Sequence, residues 1–212
     1  MTDIYIVGED SVTRAIIRRL INDYAPNLSV LREEPVRGSQ MKGLVSSFNK
    51  LAQFNPVVLL GDLDTDDCAP AAKRKLLNGE DQSEDFLVNI AVDEAEAWLY
   101  ADKEGLSSYL GVPSASIPDS SLQRMGGPRE RLEVEVNLKT SMHLTKTLVL
   151  ESSKEELKNQ IVSPDGRCKG KEYNSAMVPF IEEYWSPERA RLGSYSLDGT
   201  IRRIILLNNR RG

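Results

Sequence analysis

The sequence predicts an α/β protein: a mostly parallel, four-stranded sheet with helices on both faces, continued by a largely helical C-terminal part. Three observations predict it. Short β-rich runs alternate with amphipathic stretches through the first 110 residues, the spacing of strand–helix–strand units. The run Val57-Val58-Leu59-Leu60 is apolar at every position, as a strand buried on both faces must be. Beyond residue 138 the strand signal gives way to helix-start signals.

The elements follow in order. Ile4 to Val7 reads as the first strand. Ser11 then stands as the N-cap of a helix whose apolar positions Val12, Ile16, Leu20 and Tyr24 recur every fourth residue, closed by Pro26. Leu28 to Leu31 is a second strand, Met41 to Phe54 a second helix and Val57 to Leu60 the third strand. Ala69 to Leu77 forms a third helix that stops before Asn78-Gly79. Phe86 to Val92 gives the fourth strand, and Asp93 caps a helix running to about Leu110, with Glu96 at the capping-box position. Residues 111–127 are rich in Ser, Pro and Gly and read as a linker or surface loop. Leu132 to Leu138 alternates with period two, as a half-buried strand does. A helix starts near Ser152 or Ser153, another spans Asn174 to Tyr184, Ser186-Pro187 opens a third, and the last begins near Leu197. The expected division is a core over residues 1–110 and a mainly helical extension over 111–212 packed on it.

Composition narrows the chemistry. The chain carries 27 Lys+Arg against 32 Asp+Glu. Residues 1–110 hold 11 basic and 19 acidic side chains, whereas residues 111–212 hold 16 and 13, so the first half suits cations and the second suits phosphates. With two cysteines, Cys68 and Cys168, and the single His143, neither a disulfide framework, nor a four-cysteine zinc site, nor HExxH chemistry can be built. Any metal is therefore held mainly by oxygen, which favours Mg2+ or Mn2+. The start Met1-Thr2-Asp3 has no basic leader and no stretch of 18 apolar residues exists, so a soluble, cytoplasmic protein is expected.

Acids close three of the four strands: Gly8-Glu9-Asp10 after the first, Asp62-Leu63-Asp64 after the third, Asp93-Glu94-Ala95-Glu96 after the fourth. Ligands of doubly wound sheets gather at that end, where strand order reverses. If the third strand continues through Asp62 and Asp64, period-two alternation points both to one side. Each then offers an oxygen to one or two magnesium ions, which can drive phosphodiester hydrolysis. Asp10, Asp67 and Asp93 also sit at helix starts, where a carboxylate complements the helix dipole with no further role. Trp98 and Leu99 read as core. In the second half, Arg167-Cys168-Lys169-Gly170-Lys171 precedes a helix, and Arg202, Arg203, Arg210 and Arg211 crowd the last one. These are candidate phosphate contacts, or solvated basic surface.

A strand ending in Glu followed by a strand ending in Asp-x-Asp resembles the TOPRIM domain, a Rossmann-like fold shared by topoisomerases, bacterial primases, recombination proteins and the overcoming-lysogenization-defect nucleases. Glu96-Ala97-Trp98-Leu99-Tyr100-Ala101-Asp102 is similar to the Glu-x-Trp-Leu-x-Ala-Asp signature of a bacterial TOPRIM-like family, as is the late Ser194-Tyr195-Ser196-Leu197 before a basic helix. The resemblance implies a four-stranded TOPRIM-like core and a metal-dependent nuclease. Glu9 would be a ligand or general acid/base, Asp62 and Asp64 the metal pair, and Glu96 the acid for a second metal. Nucleic acid would be the substrate, met by Lys169, Lys171, Arg202 and Arg203. The genes of that family often lie beside an AAA or SMC-like ATPase, which makes such an ATPase a possible partner; an oligomer is possible too. The order Gly8 then Glu9 reverses the usual Glu-Gly of the family.

Three rival readings rank below the nuclease. Topoisomerase and primase activities need further domains for which 212 residues leave little room. A non-catalytic or effector subunit of an ATPase complex fits the overall acidity, which weakens unaided binding to phosphates. A phosphotransfer domain needs a lysine following its own strand, and none follows Phe86 to Val92.

Overall fold

The structure, a computed structural model, describes residues 1–63, 66, 68–117, 141–165 and 169–212. They form two compact units, Met1–Val92 with Asp198–Gly212, and Asp93–Leu197. Among the described residues no helix is long and apolar enough to cross a membrane.

The first unit alternates strand and helix: β1 (Thr2–Gly8), α1 (Ser11–Tyr24), β2 (Leu28–Pro35), α2 (Gly38–Leu51), β3 (Val57–Asp62), α3 (Ala69–Leu77) and β4 (Phe86–Ala91). The strands make one all-parallel sheet in the order β2-β1-β3-β4. This is the mostly parallel, four-stranded α/β sheet that the sequence predicts. Val57, Val58, Leu59 and Leu60 are 0–1% exposed, which explains why the run is apolar on both faces. Burying each such side chain contributes about 1.5–3 kcal/mol, so the two central strands anchor the unit.

One face carries Val7, Val57, Leu59, Phe86 and Val88, packed against Val45 and Phe48 of α2 and Leu77 of α3. Their odd-and-even alternation sends Ile4, Ile6, Val58 and Leu60 to the other face, where α1 packs on β1, β2 and β3. The N-cap of α1 is Asp10, not Ser11. The Asp10 carboxylate accepts from the Thr13 amide at 2.9 Å, and Thr13 Oγ1 in return accepts from the Asp10 amide at 3.0 Å. A threonine closes this capping box, so a search for Glu or Gln misses it. Strand β2 runs on to Pro35, past the expected Leu31, because Arg32, Glu33 and Glu34 lie on a sheet edge where no apolar signal is needed.

The second unit is helical: α4 (Ala95–Tyr100), α5 (Lys103–Leu110), a 3-10 turn at Ser114–Ser116, α6 (Ser141–Glu151), α7 (Glu155–Ile161), α8 (Tyr173–Pro179) and α9 (Pro187–Ala190). The single helix expected from Asp93 to Leu110 is two. Asp93 takes a left-handed φ of 75° and Glu94 is the cap residue of α4. The chain then breaks at Ala101, and the Asp102 carboxylate caps α5 through the Gly105 amide at 3.1 Å. Gly105 has to be glycine, since a Cβ there would lie 2.8 Å from the Tyr184 carbonyl.

Helix α7 begins at Glu155, after Ser152 has turned its hydroxyl to the Leu110 carbonyl and the Lys154 amide. The helix expected over Asn174 to Tyr184 widens into a π-helical turn, Phe180–Tyr184, directly after Pro179. Proline lacks the amide that would continue the α ladder. Helix α6 arises in a stretch where no helix is predicted, and the strand expected over Leu132 to Leu138 lies outside the described residues.

The last helix, α10 (Tyr195–Arg211), belongs from Asp198 onward to the first unit. Ile201, Ile204 and Leu207 are fully buried. Arg203 donates to Asn89 Oδ1 of β4 at 3.0 and 2.8 Å, and Asn89 donates to the Leu59 carbonyl at 3.1 Å. Asn89 lies opposite in pleat to Val88 and Ile90, so α10 covers the α1 face beside β4, leaving α2 and α3 on the other.

Candidate functional site

In the order β2-β1-β3-β4 the chain leaves β1 to one side and returns to the other, so the strand order reverses between β1 and β3. The crevice beyond the carboxyl ends of those two strands is where such sheets take ligands. Gly8 pairs in register with Leu60. Glu9 and Asp62 therefore leave neighbouring strands at the same end, and both line a cavity of about 330 Å³.

The cavity is lined by three acids, Glu9, Asp62 and Asp66, and by two lysines, Lys42 of α2 and Lys75 of α3, over apolar side chains of Met41, Leu76 and Ile90. Glu9 is exposed and Asp62 half-buried. Lys75 Nζ lies 2.9 Å from Asp66 Oδ1. The loop that carries Asp66 leaves β3 after Leu63, whose amide still bonds the Ala91 carbonyl of β4 at 3.0 Å and whose side chain is buried with Ala72 and Ile90. The ladder thus holds the chain one residue beyond β3, which fixes where the acidic loop begins.

The donor set suits a hard divalent cation, since carboxylate oxygens from two adjacent strand ends face one cavity. Among the described residues no three His, Cys, Asp or Glu side chains come together closely enough to hold a metal ion. Magnesium keeps several waters and takes one or two carboxylates, so an open site of this kind fits it, whereas zinc would want three or four protein ligands.

The remaining residues singled out in the sequence fall as follows. Asp64 lies outside the described residues, as do Asp67, Arg167 and Cys168. Glu96 belongs to the second unit, in the first turn of α4, where it is 5% exposed. There it accepts from Tyr173 Oη at 3.1 Å and faces Lys169 Nζ at 3.3 Å, and the Lys169 ammonium sits 4.5 Å from the Tyr173 ring centre. Gly170 makes that placement feasible: its amide bonds the Ile161 carbonyl at 2.9 Å, and a Cβ would fall 2.1 Å from the Gln160 oxygen. Lys171 is exposed. Arg202 pairs with Asp198 at 2.6 Å one turn away, and Arg203 holds Asn89. Burial draws the Arg203 guanidinium below its usual pKa, and the same burial, with Arg203 close by, lowers Lys73. Trp98 is fully buried, donating to Ser196 Oγ at 2.8 Å, as a core residue does.

Lys42, Lys75 and Asp66 were not singled out as cavity residues from the sequence. A lysine on an exposed helix face is compositionally ordinary. The only available signal was Lys75 lying three residues after Ala72 and next to Leu76 on a helix that follows the acidic loop.

No family model matches the chain, and no curated protein matches it. Among solved structures, the chain is similar to the C-terminal region of the Burkholderia pseudomallei OLD protein, at 14% identity and a TM-score of 0.45, over 99% of this chain and 98% of that one.

Proposed function

We propose that the protein is a Mg2+- or Mn2+-dependent phosphodiesterase acting on nucleic acid, with its metal site in the cavity at the ends of β1 and β3. The observation that carries the reading is that Glu9 and Asp62, acids from the two strands flanking the reversal, line one cavity together with two lysines. The TOPRIM resemblance of the Glu-ended first strand and the Asp62-x-Asp64 pair supports the same residues. Glu9 and Asp62 would hold the ion, and the TOPRIM resemblance would add Asp64 and Glu96 as further acids. A divalent ion held there neutralises phosphodiester charge and acidifies water.

The chain's own groups supply the rest. Exposed Glu9 is placed to take a proton from water at its carboxylate, the role of a general base. Lys42 and Lys75 add positive charge at the cavity, so a phosphate oxygen entering there meets cations from two helices. Lys169 and Lys171 in the second unit, and Arg202 and Arg203 in the first, would contribute contacts to the phosphate backbone. Cooperation with an AAA or SMC-like ATPase belongs to the same proposal.

The test is cleavage of labelled DNA and RNA in Mn2+. Asp62→Ala should remove metal-dependent cleavage, by about 10² or more in kcat, while its thermal unfolding stays near wild type. Undiminished cleavage in that variant overturns the reading. A second reading, an effector subunit without its own catalysis, draws on the Lys75–Asp66 pair, in which a lysine already neutralises one cavity acid. It predicts no cleavage by the chain alone and cleavage only when an ATPase copurifies.

A further inference from the structure

Lys75 and Lys42 project from different helices, α3 and α2, toward a cavity that also holds acids from β1 and β3. Two cations so placed have no need to be there for folding: Lys75 is 64% exposed and Lys42 is exposed. Lys75 is bonded to Asp66, at 2.9 Å, with Asp66 34% exposed. An exposed pair of this kind is weak, so an incoming anion can take Lys75 from Asp66 at little cost. A nucleic-acid phosphate competes for an ammonium that water still reaches, because it brings two charged acceptor oxygens and the field of the neighbouring phosphates on its strand.

We propose that Lys75, seconded by Lys42, is the residue that receives the substrate phosphate beside the carboxylate site, and that Asp66 is a competing internal anion that holds Lys75 until the phosphate displaces it. This rests on the nuclease reading for the identity of the substrate, but the exchange of partners at Lys75 stands on the cavity geometry. Lys75 and Lys42 are phosphate-binding residues, and their substitution leaves the proposed metal carboxylates in place. The exchange is purely electrostatic: no bond is made or broken, and Asp66 is left as a solvated carboxylate.

Binding and catalysis separate the two claims. Fluorescence anisotropy with 5′-phosphorylated single-stranded 20-mers, one DNA and one RNA, is measured on the full chain in EDTA between 50 and 200 mM salt, and cleavage of the same probes is measured in Mn2+. Lys75→Ala should weaken binding about tenfold, the scale of one charge-assisted contact, and flatten the salt dependence by about one unit of slope. Lys42→Ala should do the same to a smaller extent. Asp66→Asn, which removes the competitor and keeps the shape, should tighten binding by about two- to fivefold, the fold-change equivalent of an exposed pair. In Mn2+, Lys75→Ala and Lys42→Ala should raise KM by the same factors by which binding weakens.

Binding by Lys75→Ala equal to wild type overturns the proposal. So does weaker binding by Asp66→Asn, because that is the behaviour of a pair that merely holds the loop. If wild type binds with this pattern yet cleaves nothing in Mn2+, the nuclease reading falls and the lysine site stands. If Asp62→Ala is inactive while Lys75→Ala keeps wild-type KM, the nuclease reading stands and the lysine proposal falls. Absence of binding to both probes by wild type overturns the lysine proposal, and absence of cleavage in Mn2+ as well overturns both.

Discussion

Asp102 is 1% exposed and accepts four hydrogen bonds, from the Gly105 and Ser186 amides at 3.1 and 2.7 Å and from Arg189 Nε and Nη2 at 2.7 and 2.9 Å. Its bidentate partner keeps the Arg189 pKa above the usual value. Taking Arg189 away leaves a buried carboxylate with only two amides. Arg189→Ala should therefore cost about 2–3 kcal/mol in urea unfolding, somewhat less than a fully buried pair because the arginine side chain is 45% exposed. A change within 0.5 kcal/mol would show that the pair contributes nothing net.

Tyr109 supplies the pH dependence at the same scale. Burial, with Tyr184 and Glu183 close by, pushes its phenol up to about 12 from 10.0, and its hydroxyl donates to the Ala176 carbonyl. A folded pKa above the unfolded one means that the proton is held more tightly in the folded state. The contribution is full below pH 10 and is lost as pH rises toward 12. Urea unfolding between pH 8 and 12 should fall more steeply for wild type than for Tyr109→Phe, and parallel curves would contradict it.

Among the elements, the four strands and α1 to α3 were legible because each carries its own local signal. Valines and isoleucines mark the strands, fourfold spacing marks α1, and Asn78 at φ 49° ends α3 just where Asn-Gly predicts. What failed did so for physical reasons. The break between α4 and α5 is made by Asp102 turning to cap α5 and to meet Ser186 and Arg189, partners more than 80 residues away. The cap of α1 moved one residue because Thr13 completes its box. Asp10→Ala should lower stability by about 1 kcal/mol, read as a shift in the urea midpoint. No shift would mean that the Thr13 hydroxyl satisfies the first turn unaided.

On the scale of the whole molecule, the acids of the first half and the return of α10 to the first unit tell opposite stories about what a sequence carries. Glu9 and Asp62 could be paired from strand order alone, since both follow apolar runs and neighbouring parallel strands end together. The join between Arg203 and Asn89 could not, because it links residues 114 apart through hydrogen bonds that leave no periodic trace. Lys42 and Lys75 belong to the same class: only the folding of α2 and α3 onto one face sends both to the cavity. Removing the Arg203 partner should leave Asn89 Oδ1 buried and unpaired, so Arg203→Ala should cost about 1–3 kcal/mol in urea unfolding. An unchanged midpoint would mean that water reaches Asn89.

The cavity at the ends of β1 and β3 is the centre of the account, and Mn2+ reports on it most directly. Crystals soaked in millimolar Mn2+ should show an anomalous peak within coordination distance of the Glu9 and Asp62 carboxylates, lost in Asp62→Ala. No peak there, in a lattice that leaves the cavity open to solvent, would contradict the metal site and with it the phosphodiesterase.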